Sequence, residues 1–119
     1  MIRFECDYNE GTHPAILEAM MRTNEEQTPG YGKDIHCDHA SELIRQACGQ
    51  PQAAVHFLVG GTQTNMTVID AVLKSHQGVI SVVSGHINGH ETGAVESTGH
   101  KVLTLQGKDG KLTAEEVDA

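Results

Sequence analysis

Residues 60–65 read Gly-Gly-Thr-Gln-Thr-Asn, after the apolar run Val55–Val59 and before a segment of helical pattern. A chain that leaves an extended segment and turns straight into a helix exposes the unpaired N–H groups of the helix start. The helix dipole favours negative charge at the same place. The chemistry of this junction is therefore anion binding, with a phosphate as the natural occupant. Gly60 and Gly61 let the backbone approach closely, Thr62 and Thr64 offer hydroxyl donors, and Asn65 offers an amide. No Gly-Lys-Ser/Thr follows and the G-x-G-x-x-G spacing is absent, which argues against nucleoside triphosphate and dinucleotide binding. An ordinary strand-to-helix turn capped by Thr62 would use the same residues.

A second polar segment, "SGHINGHETGA", carries His86, His90 and Glu91. In an open parallel sheet the loops at the carboxyl ends of neighbouring strands converge on one crevice, which would bring these residues towards Gly61 and Thr62. His86 and His90 are spaced to share a helix face, and with Glu91 or a distant ligand they could hold zinc. An H-E-x-x-H pattern is missing, and His36-Cys37-Asp38-His39 has no ligand-pair spacing, so no metal site is expected. A solvated or packed histidine is the alternative for His90. His56, His76 and His100 are read as structural.

The elements that must position these groups follow an α/β order. A first helix is expected from about His13 to Arg22, with Pro14 in its first turn and Ile16, Leu17, Met20 and Met21 on a buried face. The aperiodic "TNEEQTPGYGKD" reads as an ordered loop or lid. A second helix is expected to begin with Asp38 as N-cap, turn Ala40, Leu43, Ile44 and Ala47 inward, and stop at Gly49 before Pro51. "AAVHFLV", "GVISVV" and "HKVLTL" read as strands, and the helix between the first two places Met66, Ile69, Val72 and Leu73 on one face. Continuous apolar runs joined by helices imply a parallel sheet covered on both faces. Asp109-Gly110 marks a turn, and "LTAEEV" reads as a capping box with Thr113 as N-cap and Glu116 three residues on. So short a closing helix and so few strands lead us to expect the N-terminal part of a larger α/β protein. A small domain with a frayed last turn is the alternative.

Composition narrows the function classes. The 119 residues carry 8 Lys+Arg against 16 Asp+Glu, a formal net charge of −8, which opposes attraction to nucleic acid or anionic membrane. No apolar stretch approaches the roughly 20 residues of a membrane span, and the start "MIRFECDYNEG" lacks the apolar core of a secretory signal. Cys6, Cys37 and Cys48 are odd in number and irregularly spaced, as reduced thiols would be. A soluble, cytoplasmic protein is expected.

Five stretches, "CDYNEGTHPAILEAM", "GYGKD", "VHFLVGGTQTN", "GHINGHETGA" and "STGHKVLTLQGKDGKLTAEEV", together resemble, in kind, order and spacing, the N-terminal portion of the threonine aldolases. These belong to the pyridoxal-phosphate-dependent β-eliminating lyases of fold type I, and the likeness covers nearly the whole chain. It implies that residues 1–119 are an N-terminal segment and part of the large cofactor-binding domain, a mostly parallel sheet with flanking helices. The rest of that domain and a small C-terminal domain would lie outside the chain. It also implies pyridoxal phosphate as cofactor, a β-hydroxy-α-amino acid such as L-threonine as substrate, and a homodimer or homotetramer for the complete enzyme.

Position by position, the resemblance matches Gly61, Thr62 and Gln63 to the phosphate cradle. It matches His86 to the histidine that stacks on the pyridine ring near the substrate hydroxyl. Tyr31 matches a residue that reaches a neighbouring subunit's site, and Glu91 lies near a family acidic position, where a structural hydrogen bond is an equal reading. Asp7 falls in the family's N-terminal Ser-Asp motif, with Cys6 here in place of the usual serine near the substrate carboxylate; a thiol donates more weakly than a hydroxyl, and a packed thiol is the expected state. Cys6, Tyr31 and Glu91 are thus the substrate-side candidates, and His86 is the candidate base, because imidazole exchanges protons near neutrality. None of Lys33, Lys74, Lys101, Lys108 and Lys111 stands in a context like that of the family's cofactor-bearing lysine. The chain alone is therefore expected to be inactive. Two other readings are a non-catalytic binding or assembly module that keeps the phosphate turn, and a histidine-rich metal binder.

Overall fold

The computed structural model describes residues 3–6 and 8–119; Asp7, assigned above to the N-terminal motif, lies outside the described residues. The chain divides into two compact units, Met1–Val55 and His56–Ala119.

The first unit carries two helices. Helix α1 spans Pro14–Thr23, with His13 as N-cap accepting from the Ala15 N–H and Pro14 in the opening turn, where its missing N–H costs nothing. Helix α2 spans Ile35–Cys48 and ends at Gly49, whose left-handed φ of 62° lets its N–H reach back to the carbonyls of Arg45 and Gln46. Its start differs from expectation. The N-cap is Asp34, whose carboxylate accepts from the N–H groups of His36 and Cys37 at 3.0 and 2.9 Å. Asp38 instead lies in the first turn, where its charge favours the helix dipole. The apolar stripe of α1 also departs from the buried face expected of it, since Ile16, Leu17, Met20 and Met21 are all at least half exposed.

The second unit is a small α/β assembly. Helix α3 spans Gly61–Val72, strand β1 Gly78–Val82, and the short helices α4 and α5 span His86–Gly89 and Ala94–Ser97. Strand β2 (Lys101–Leu105) and helix α6 (Ala114–Asp118) follow. The two strands pair in parallel, in register from Gly78 with Lys101 to Val82 with Leu105, so the crossover through α4 and α5 returns the chain to the same end of the sheet. The run 53–59 was expected to be a strand and is not one. A strand exists only through a neighbour, and among the described residues none pairs with this run, whose Val59 is almost fully exposed.

The core of this unit is small and mixed: Val95 and Val102 are buried together with Ser81, Glu91 and His100. Both ring nitrogens of His100 find acceptors, Nδ1 facing the Gln77 carbonyl at 3.2 Å and Nε2 the Asp70 carboxylate at 3.3 Å. That bracing fastens the end of α3 to the entry of β2. Further on, Asp109 and Gly110 both have positive φ, 52° and 71°, in the tight turn closed by the Lys108–Lys111 bridge. At α6 the Thr113 hydroxyl accepts from the Glu116 N–H while the Glu116 carboxylate accepts from the Thr113 N–H, a complete capping box.

Candidate functional site

The site is built on the start of α3. Gly60 is an extended N-cap, and no side chain caps the helix, so the N–H groups of Gly61, Thr62 and Gln63 precede the first helical bond, from the Thr64 N–H to the Gly60 carbonyl. The Gln63 side chain folds back and accepts from the Val59 N–H at 3.1 Å, which holds the entering chain and leaves the Gln63 N–H itself pointing out of the helix start. Among the described residues, a Cβ at Gly60 or Gly61 would meet no atom within 4 Å beyond its chain neighbours and the helix's own backbone, so an anion can approach this backbone closely. These donors fit a phosphate.

Two expected donors are spent elsewhere. The Thr64 hydroxyl bonds to the Gly60 carbonyl at 2.9 Å, because a threonine inside a helix reaches the carbonyl one turn back. The Asn65 amide faces away from the cradle and donates to Glu91 Oε1 at 2.6 Å.

That carboxylate is the centre of the site. Glu91 has a side chain that is 0 % exposed, and its Oε1 also meets His86 Nδ1 at 2.7 Å, while the His86 side chain itself is 66 % exposed. The other oxygen, Oε2, is buried and has no hydrogen-bond partner among the described residues. His86 opens α4 after Gly85, where a Cβ would collide with the Ser81 side chain and lie 2.9 Å from the Val82 carbonyl. The absence of a side chain at Gly85 thus allows the close turn that sets the histidine just past the end of β1. The ring of His90 lies 5.5 Å from that of His86, tilted by 39°.

The second unit therefore joins Gly61, Thr62 and Gln63, through Asn65 on the same helix, to Glu91 and His86. Cys6 and Tyr31 belong to the first unit. The Cys6 thiol donates to Asn9 Oδ1 at 3.0 Å, and Tyr31 is fully exposed with a left-handed φ of 62° ahead of Gly32 at 70°. A polar hollow along α2, lined by Asp38, His39, Glu42 and Arg45 among others, contains none of the expected site residues. Among the described residues, no group of three or more His, Cys, Asp or Glu is placed to hold a metal ion, and no helix is long and apolar enough to cross a membrane. Sequence reasoning took Asn65 for a cradle donor. The only local sign of its actual role is its place one turn inside the helix, past the N–H groups an anion would meet.

A family model described as beta-eliminating lyase matches residues 6–119. A low specificity L-threonine aldolase from Pseudomonas aeruginosa is 33% identical over 113 residues, 93% of this chain and 32% of that protein. Another with the same description, from a Pseudomonas species, is 30% identical over the same share. Among solved structures, a chain of Leishmania major threonine aldolase superposes with a TM-score of 0.91 at 47% identity, covering 94% of this chain and 33% of that one. The chain thus spans about a third of the length of each of these relatives.

Proposed function

The chain belongs to the β-eliminating lyase family, and from that premise we propose that its second unit holds the phosphate end of pyridoxal phosphate. The enzyme is proposed to cleave L-threonine or a related β-hydroxy-α-amino acid to glycine and an aldehyde. The observation that carries the reading is the open start of α3. It offers unpaired N–H groups at Gly61, Thr62 and Gln63 and glycine backbone with no protein atom in the way, on the helix tied to His86.

The N–H groups of Gly61, Thr62 and Gln63 and the hydroxyl of Thr62 would hold the phosphate, with the dipole of a 12-residue helix adding to the attraction. When bound, pyridoxal phosphate supplies the electron sink that a carbon–carbon cleavage next to an amine requires. His86 takes the proton of the substrate's β-hydroxyl at Nε2, directly or through a water, since Nδ1 is engaged by Glu91. Cys6 is assigned to the substrate carboxylate and Tyr31 to a neighbouring subunit's site, in a homodimer or homotetramer. The free thiols of Cys6, Cys37 and Cys48 suit the cytoplasm, the proposed setting. All five lysines, Lys33, Lys74, Lys101, Lys108 and Lys111, are exposed, and none takes part in the hydrogen bonds around His86.

Titration of the isotope-labelled chain with pyridoxal phosphate, followed through its backbone amide signals, tests the reading. The largest shifts are expected at Gly61, Thr62 and Gln63, with inorganic phosphate moving the same signals. Shifts confined to other residues, or none at millimolar ligand, would overturn it.

A further inference from the structure

We propose that Glu91 is a positioning residue: its buried carboxylate, held by Asn65, fixes His86 as the tautomer that carries its proton on Nδ1 and presents a bare Nε2. The proposal rests on the reading of His86 as the base, and it gives that base its form.

The geometry supplies the reasons. Which nitrogen of a histidine carries the proton is set by the hydrogen bond the other groups offer it. Here the offer is one-sided, because Glu91 Oε1 lies 2.7 Å from Nδ1 while the His86 side chain is 66 % exposed. An ionised carboxylate only accepts, so the hydrogen in that contact belongs to Nδ1. Glu91 also cannot dispense with it. Its Oε2 is buried without a partner among the described residues, so Asn65 Nδ2 and His86 Nδ1 are the donors that compensate the buried group, and losing one would leave it poorly satisfied. Asn65 lies on the phosphate-cradling helix, 26 residues before Glu91, so the ring is referenced to the cradle through a single carboxylate. A bare Nε2 is the atom a general base must present.

The experiment reads the tautomer directly in the 119-residue chain carrying isotope-labelled histidine, without cofactor, from long-range couplings that distinguish protonated from bare ring nitrogens. The wild-type chain is expected to show neutral His86 protonated on Nδ1. Glu91→Met, which keeps the volume and removes the acceptor, is expected to lose that pattern in favour of protonation on Nε2. Glu91→Gln keeps an acceptor oxygen and is expected to retain it. His100, braced by Gln77 and Asp70 in the same unit, reports whether the fold is intact. Should Glu91→Met disturb His100, the double variant Glu91→Met/Asn65→Leu removes both polar partners together and takes its place. Protonation on Nε2 in the wild type, or an unchanged His86 pattern in the folded Met variant, would overturn the proposal. The functional reading fails separately, if pyridoxal phosphate leaves the Gly61, Thr62 and Gln63 amides unmoved while the tautomer pattern is present.

Discussion

The side-chain amide of Asn65 donates to Glu91 Oε1 at 2.6 Å across 26 residues of chain, joining the first turns of α3 to the loop behind α4. Because the carboxylate is buried, Asn65→Ala removes a partner that water cannot readily replace. A loss of about 1–3 kcal/mol is expected for such a group. Urea unfolding of the variant checks this, and an unchanged midpoint would refute it.

The cradle glycines and the packing glycines should respond in opposite ways. Gly61 is helical with open space at its Cβ position, so Gly61→Ala is expected to raise stability by about 0.4–1 kcal/mol. The same methyl adds bulk at the proposed phosphate cradle and should weaken binding of pyridoxal phosphate. Equal affinity in variant and wild type would count against the cradle.

Gly107 has φ +64°, and a Cβ there would lie 2.6 Å from the Lys111 carbonyl and 2.7 Å from Val82 Cγ2. Gly107→Ala is expected to cost on the order of 1–3 kcal/mol, since strained backbone and overpacking coincide. Thermal unfolding reads this directly, and a variant as stable as the wild type would show that the turn is not needed.

The Asp34 carboxyl is held below its ordinary value, first by the Cys37 N–H and then by the Cys37 side chain and the His36 N–H. A carboxyl with a lowered folded-state value stabilises the fold above its ordinary value, 3.8, and that contribution fades as pH falls through the folded one. Exchange protection of the first-turn amides of α2 should therefore drop on acidification below that point. Asn is as good an N-cap, so Asp34→Asn should keep the helix start and lose the acid dependence. The Asp34 carboxylate, as acceptor for the Cys37 thiol and as a nearby negative charge, also raises that thiol, so the same variant should be alkylated faster at Cys37. An unaltered alkylation rate would remove Asp34 as the cause.

No lysine takes part in the hydrogen bonds of His86 and Glu91, so borohydride reduction with pyridoxal phosphate is expected to give no single-site adduct on Lys33, Lys74, Lys101, Lys108 or Lys111. The 119 residues by themselves should not cleave threonine. Intact-mass mapping and an assay for glycine release check both statements, and turnover by this chain would refute the second.

Where a signal is carried by a few adjacent residues, the sequence alone was sufficient. The His13-Pro14 start of α1, the Gly49 stop of α2, the Asp109-Gly110 turn and the Thr113–Glu116 capping box each close a hydrogen bond or a dihedral within a few positions. Strands β1 and β2 were legible as apolar runs, and the glycine junction as a helix start, for the same reason. Asp38 was the expected cap of α2, and only the backbone path showed that Asp34, four residues earlier, reaches the free N–H groups. The run 53–59 has strand composition, but pairing needs a neighbour that composition does not supply. Above all, neither the direction of the Asn65 amide nor the burial of Glu91 is a local property. Both arise where α3, the α4–α5 crossover and the sheet meet, and a hydrogen bond spanning 26 residues exists only once the fold has brought its two ends together.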